Sequence, residues 1–116
     1  MRPARAVAGE KAEALAAEFL AARGMRVIER NFRRRCGEID LVAQDGDTLV
    51  FVEVRLRTRS DFGGAAASIT GRKRARMSAA AGLYLARLRR APPCRFDAVL
   101  LDAIDSARIE WLKDIM

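Results

Sequence analysis

A chain of 116 residues is long enough for one hydrophobic core and too short for two domains. Apolar residues make up 51% and charged residues 32%, no apolar run approaches the ~20 residues that span a bilayer, and the N-terminus lacks the apolar centre of a secretion signal, so a cytoplasmic chain free of membranes is expected. There is no histidine, which excludes Ser-His-Asp triads and histidine acid–base chemistry, and the net charge of +7 favours a polyanionic partner, nucleic acid first among them.

Residues 1–8 carry Arg2 and Arg5 around Pro3 and read as a flexible basic arm. From Gly9 to Arg23 the apolar positions Ala12, Leu15, Ala16, Phe19 and Leu20 recur at helical spacing, and Gly24 supplies a stop. Glu13 lies one position off that stripe, at the edge of the face expected to be buried. Met25 to Glu29 reads as a short strand, and the polar run Arg30 to Cys36 as a connection. Two strands follow, joined at Asp45-Gly46. Thr58 to Ala67 reads as a mobile glycine- and alanine-rich loop at the mouth of a site. A second helix is expected from about Thr70 to Arg90, with Met77, Ala80, Ala81, Tyr84 and Leu88 inward and Lys73 continuing that stripe from the N-terminal turn. Arg95 to Asp102 reads as a strand, and Arg108 to Leu112 as an edge strand or short helix. The order predicts one α/β domain, a central mixed sheet flanked by helices. Cys36 and Cys94 are expected to be reduced thiols, since neither belongs to a metal-ligand pair.

The segment GEIDLVAQDGDTLVFVEVRLR, Gly37 to Arg57, places charges where a core strand should be apolar. Alternation puts Val50, Val52 and Val54 on one face and Leu49, Phe51, Glu53 and Arg55 on the other. If Asp45-Gly46 is a two-residue hairpin loop, Gln44 pairs with Asp47, Asp40 stands opposite Phe51, Glu38 opposite Glu53, and three carboxylates share one face. A buried carboxylate costs several kcal/mol unless paired or bound to metal. An acidic residue on one strand followed by Glu-x-Lys on the next is the core of the PD-(D/E)xK nuclease motif, in which carboxylates hold Mg²⁺ or Mn²⁺ and a fixed cation stabilises developing charge. Asp40 and Glu53 meet the first requirement; Glu53-Val54-Arg55 meets the second with arginine.

With Gly9 and Glu13 before LAAEFL, Asn31, Gly37-Glu38-Ile39-Asp40-Leu41, Phe51-Val52-Glu53-Val54, Arg57, Phe62-Gly63, Lys73, Tyr84-Leu85 and Arg95-Phe96-Asp97, the chain resembles the YraN family of bacterial proteins along nearly its whole length. The resemblance implies a restriction-endonuclease-like single domain, similar to archaeal Holliday junction resolvases and tRNA-endonuclease-like domains. It also implies that Glu13 joins Asp40 and Glu53 at a metal. The family usually has lysine where this chain has Arg55. Arginine keeps the charge but cannot serve as a base, which leaves attack to metal-activated water or a supporting role to Lys73.

The runs Arg33-Arg34-Arg35 and Arg72-Lys73-Arg74, with Arg57, are the candidate nucleic-acid contacts, DNA being the expected partner. Trp111 and Tyr84 are too few for a base-stacking platform. The competing readings are Asp40 and Glu53 salt-bridged by Arg55, Arg57 or Lys73 and binding no metal, a non-catalytic nucleic-acid-binding module, and a basic partner for an acidic protein. A two-fold dimer would suit a branched substrate, although no motif demands one.

Overall fold

The computed structural model describes residues 4–57, 69–102 and 108–116, with side chains described over 9–56, 69–102 and 108–116. The elements are α1 (Ala4–Ala22), β1 (Arg26–Arg34), β2 (Gly37–Asp45), β3 (Thr48–Arg57), α2 (Gly71–Leu85), β4 (Cys94–Asp102) and β5 (Ile109–Leu112). The strands form one sheet in the order β1-β2-β3-β4-β5, in which only β3 and β4 run parallel, with α2 in the connection between them. This is the mixed α/β sheet flanked by helices that the element order predicts. The expected loop over Thr58 to Ala67 lies outside the described residues.

Two apolar clusters sit on opposite faces of the sheet, as the alternation of β3 requires. Val50 and Val52 pack with Leu41, Ala43 and the α1 residues Ala12, Ala16, Ala17 and Leu20. Leu49 and Phe51 pack with Phe32, Ile39, Val42 and the α2 residues Ala80, Ala81 and Tyr84. Phe51 is fully buried, its ring centroid 5.8 Å from Tyr84 edge-on and 5.4 Å from Phe96, contacts worth ~0.5–1.5 kcal/mol each beyond burial.

Three boundaries and one helix face differ from the sequence reading. Helix α1 begins at Ala4, within the segment expected to be an arm, because Ala-Arg-Ala-Val-Ala contains no breaker after Pro3. Its inward stripe is rotated: Ala17 is buried, whereas Leu15 is 37% exposed. Strand β1 continues through the polar run to Arg34, since an edge strand needs only Phe32 facing inward and tolerates charge elsewhere. Helix α2 stops at Leu85, so Leu88 is exposed. Thr70 caps its start by accepting from Lys73 N at 3.2 Å.

The hairpin loop lies one residue further along than expected, which displaces the β2–β3 pairing by two residues. Asp45 pairs with Thr48 and Gln44 with Leu49, leaving Gly46-Asp47 as the loop. Gly46 has φ +60° and takes the first loop position, which a type II′ hairpin reserves for glycine. Asp45 is retained in the strand, where Arg95 reaches it at 3.0 Å.

Candidate active site

The displaced register brings the two principal carboxylates together. The β2–β3 ladder runs to Leu41 opposite Val52, and just beyond it Asp40 lies near enough to Glu53, rather than opposite Phe51, to feel its charge. Just there β2 stops alternating: Ile39 and Leu41, two residues apart, belong to clusters on opposite faces of the sheet. Asp40 occupies the break, and its Oδ2 accepts a 2.8 Å hydrogen bond from Val54 N. A side chain thus replaces the backbone acceptor that a continued ladder would have supplied.

The electrostatics follow from this placement. The Asp40 carboxyl is raised from its ordinary 3.8 to about 7, by burial first and by the neighbouring charge of Glu53 second, with smaller upward pushes from Glu13 and Glu38, while the Val54 hydrogen bond opposes them. Glu53 is only 6% exposed, and its Oε1 is held at 2.8 Å by Lys73 Nζ. The expected inward reach of Lys73 from the first turn of α2 is therefore what the structure contains. Glu38, Glu53, Lys73, Arg76 and Met77 line a cavity of about 40 Å³ between the sheet and α2.

Glu13 approaches from the other helix. It is buried at 9% exposure, and burial pushes its carboxyl up against the opposing effect of a hydrogen bond from Asn31. Asn31 is one of two described non-glycine residues with positive φ, at 55°, and its Oδ1 also accepts from Arg33 Nη2 at 3.2 Å. Asparagine tolerates that backbone region better than most residues, and from it the Asn31 side chain reaches Glu13. No role for Asn31 was legible in sequence, because the polar run around it conceals that the strand continues.

The remaining candidates fall in distinct places. Among the described residues, no three acidic or cysteine side chains converge closely enough to form a ready-made metal cluster. Arg55 is half-buried, and its Nε has no hydrogen-bond partner among the described residues. Arg74 is half-buried in the same condition, whereas Arg72 and Arg35 are exposed. Arg33 is exposed and lies 3.9 Å from Glu38, and Arg34 stacks on the Phe32 ring at 4.1 Å. The side chain of Arg57 lies outside the described residues.

Asp40 of β2 and Glu53 of β3, the latter held by Lys73 of α2, thus lie together where β2 breaks, and the charge of Glu13 on α1 is near enough to act on Asp40. Comparison with known proteins gives the lineage. Residues 12–101 match the uncharacterised protein family UPF0102. The chain belongs to the UPF0102 family. This is the YraN family that the motifs resemble. UPF0102 relatives include a protein of Dechloromonas aromatica, 56% identical over 90% of this chain and 84% of its own length. Another, from Methylobacillus flagellatus, is 53% identical over 91% of this chain and 93% of its own. The UPF0102 protein HEAR0176 of Herminiimonas arsenicoxydans is 50% identical over 97% of this chain and 89% of its own. No helix among the described residues is long and apolar enough to cross a membrane.

Proposed function

We propose that this UPF0102 protein binds nucleic acid and is a divalent-metal-dependent endonuclease of the restriction-endonuclease-like type, acting on structured DNA. The observation that carries this reading is Asp40 beside Glu53 at the end of a strand ladder, with the Lys73 ammonium 2.8 Å from Glu53, on a chain of net charge +7. A stable fold has no need of two adjoining carboxylates on neighbouring central strands, since like charges there repel and are costly to bury.

The donor set suits Mg²⁺ or Mn²⁺. Both ions take oxygen ligands, and Mg²⁺ is commonly held by one or two carboxylates with water and substrate phosphate completing the shell, so Asp40 and Glu53 suffice as protein ligands with Glu13 as a third from α1. A bound cation would polarise the scissile phosphate and acidify water. The chain's own residues supply the rest. Lys73 brings a mobile ammonium to the carboxylates from a side chain that is 42% exposed, and so can turn toward a phosphate oxygen. Arg55, two positions beyond Glu53 on β3, keeps positive charge at the motif's third position but cannot take up a proton. Asn31 fixes Glu13.

The test is incubation of branched, nicked and single-stranded DNA with Mg²⁺ or Mn²⁺, comparing the natural chain with Asp40→Ala. Cleavage by the natural chain, lost on chelation and reduced at least 100-fold in the variant, is expected; equal cleavage by both would trace the activity to a contaminant. The Lys73–Glu53 ion pair also supports a second reading, a binding module in which lysine neutralises Glu53 in place of metal. That reading predicts salt-sensitive DNA binding without cleavage and without calorimetric uptake of Mn²⁺.

A further inference from the structure

Away from the carboxylates, two arginines from different elements share one aromatic floor. Arg34, at the end of β1, places its guanidinium carbon 4.1 Å from the Phe32 ring centroid. Arg87, just past the end of α2, lies 5.5 Å from the same centroid and 5.1 Å from that of Tyr84. The two rings meet edge to face at 5.2 Å. The guanidinium carbons therefore stand within about 10 Å of each other.

Two cations on one ring repel, and stacking alone does not require the second. Arg87 is partly neutralised by Glu29 at 3.6 Å, whereas Arg34 has no carboxylate partner among the described residues. Arg34 Nη1 donates to the Arg33 carbonyl at 2.7 Å, which with the ring stack holds the guanidinium in place before any ligand arrives. Phe32 and Tyr84 are 2% and 8% exposed, so their faces are closed to bases, and only the cationic edge is presented. Such a surface suits the phosphodiester backbone and carries no sequence preference.

Its position relates it to the carboxylates. The β1–β2 turn lies against α2, with Gly37 abutting the Arg76 backbone carbonyl, and Arg76 lines the cavity with Glu53 and Lys73. From Lys73 to Arg87, at the helical rise of ~1.5 Å per residue, the chain runs about 21 Å. A duplex strand presents a phosphate roughly every 3.4 Å of axis, so that distance corresponds to about six base pairs.

We infer that Arg34 and Arg87 form a second, sequence-independent contact for the nucleic-acid backbone, reaching from the end of β1 to the C-terminal end of α2, with Arg87 about half a duplex turn from Lys73 along that helix. The inference rests on the nucleic-acid reading proposed above and extends it to Arg87, which lies outside the two basic runs singled out in the sequence.

The experiment is fluorescence anisotropy in EDTA with two labelled 20-base-pair duplexes of unrelated sequence, titrated over roughly 50–300 mM salt. The proteins are the natural chain, Arg34→Gln/Arg87→Gln, Arg34→Lys/Arg87→Lys, and Arg26→Gln/Arg30→Gln on the α1 side of the sheet as control. The glutamine pair is expected to bind both duplexes about ten-fold more weakly at 100 mM salt and to lower the slope of log K against log salt by about 2, at ~0.9 per phosphate contact. The lysine pair should keep most of the slope, which separates lost charge from lost fold, and the control pair should bind like the natural chain. A glutamine pair that binds with the natural slope would overturn this inference and leave the nucleic-acid reading standing. No binding by the natural chain at 50 mM salt would overturn both. Competition by polyglutamate as strong as that by unlabelled duplex of equal charge would assign the surface to an acidic protein instead.

Discussion

Asp40 illustrates how one side chain carries both a structural and a chemical task. Its carboxylate satisfies Val54 N–H where the ladder ends, yet burial and Glu53 hold its pKa at about 7 against an ordinary 3.8. An acid that binds its proton more tightly in the folded state stabilises the fold progressively less as pH rises between those two values, and above the folded pKa the full cost of the buried charge remains. Asp40→Asn keeps an oxygen to accept from Val54 and removes the charge. The variant is therefore expected to melt higher than the natural chain at pH 8, by on the order of 2–4 kcal/mol. The difference should shrink toward zero as pH falls to about 4, a trend that thermal melts across the pH range in chelator would measure. A difference independent of pH would mean that Asp40 is solvated.

At the level of elements, the site depends on how closely α2 approaches β2. A Cβ at Gly37 would stand only 1.9 Å from the Arg76 carbonyl oxygen, a clash with backbone that no rotamer change relieves. Gly37→Ala is expected to cost roughly 1–3 kcal/mol or more, and to move Lys73 away from Glu53 by lifting the first half of the helix. Denaturant titration measures the first effect, and a fall in DNA affinity at fixed salt the second. The same approach explains why the GEIDL motif begins with glycine. The motif's acidic residues need a helix close by, and the glycine admits it.

Across the whole molecule, the sheet is closed at its far edge by a single buried carboxylate. Asp97, fully buried on β4, accepts from Arg95 Nε at 3.1 Å, Trp111 Nε1 at 2.9 Å and Asp114 N at 2.9 Å. It thereby ties β5 and the C-terminal segment to β4, while Arg95 reaches on to Asp45 at the end of β2. Trp111 in turn meets Phe19 of α1 edge-on at 6.4 Å, so the network reaches the first helix. Asp97→Ala leaves the half-buried Arg95 with Asp45 alone and deprives the Trp111 indole N–H and Asp114 N–H of their acceptor, and a loss of ~3–5 kcal/mol is expected in chemical denaturation. An unchanged midpoint would show that the C-terminal strand contributes nothing to global stability. In the sequence, Arg95-Phe96-Asp97 reads as the start of a strand and as part of the family resemblance but shows no structural role for Asp97, since its partners Trp111 and Asp114 lie far along the chain.

The amino-acid order by itself determined the alternation that seats Glu53 and Arg55 on one face of β3, the inward stripe that carries Lys73, four of the five strands and the family, because each depends on local periodicity or on short motifs. It did not determine the strand register, which turned on whether Asp45 or Asp47 stays in the loop beside Gly46; an ion pair from Arg95 and the backbone preference of one glycine favour Asp47. Nor could it reveal that β1 runs through its charged stretch, that Asn31 holds Glu13, or that Arg34 and Arg87 meet over Phe32. Those contacts join residues from separate elements, and only the packed sheet brings them within reach of one another.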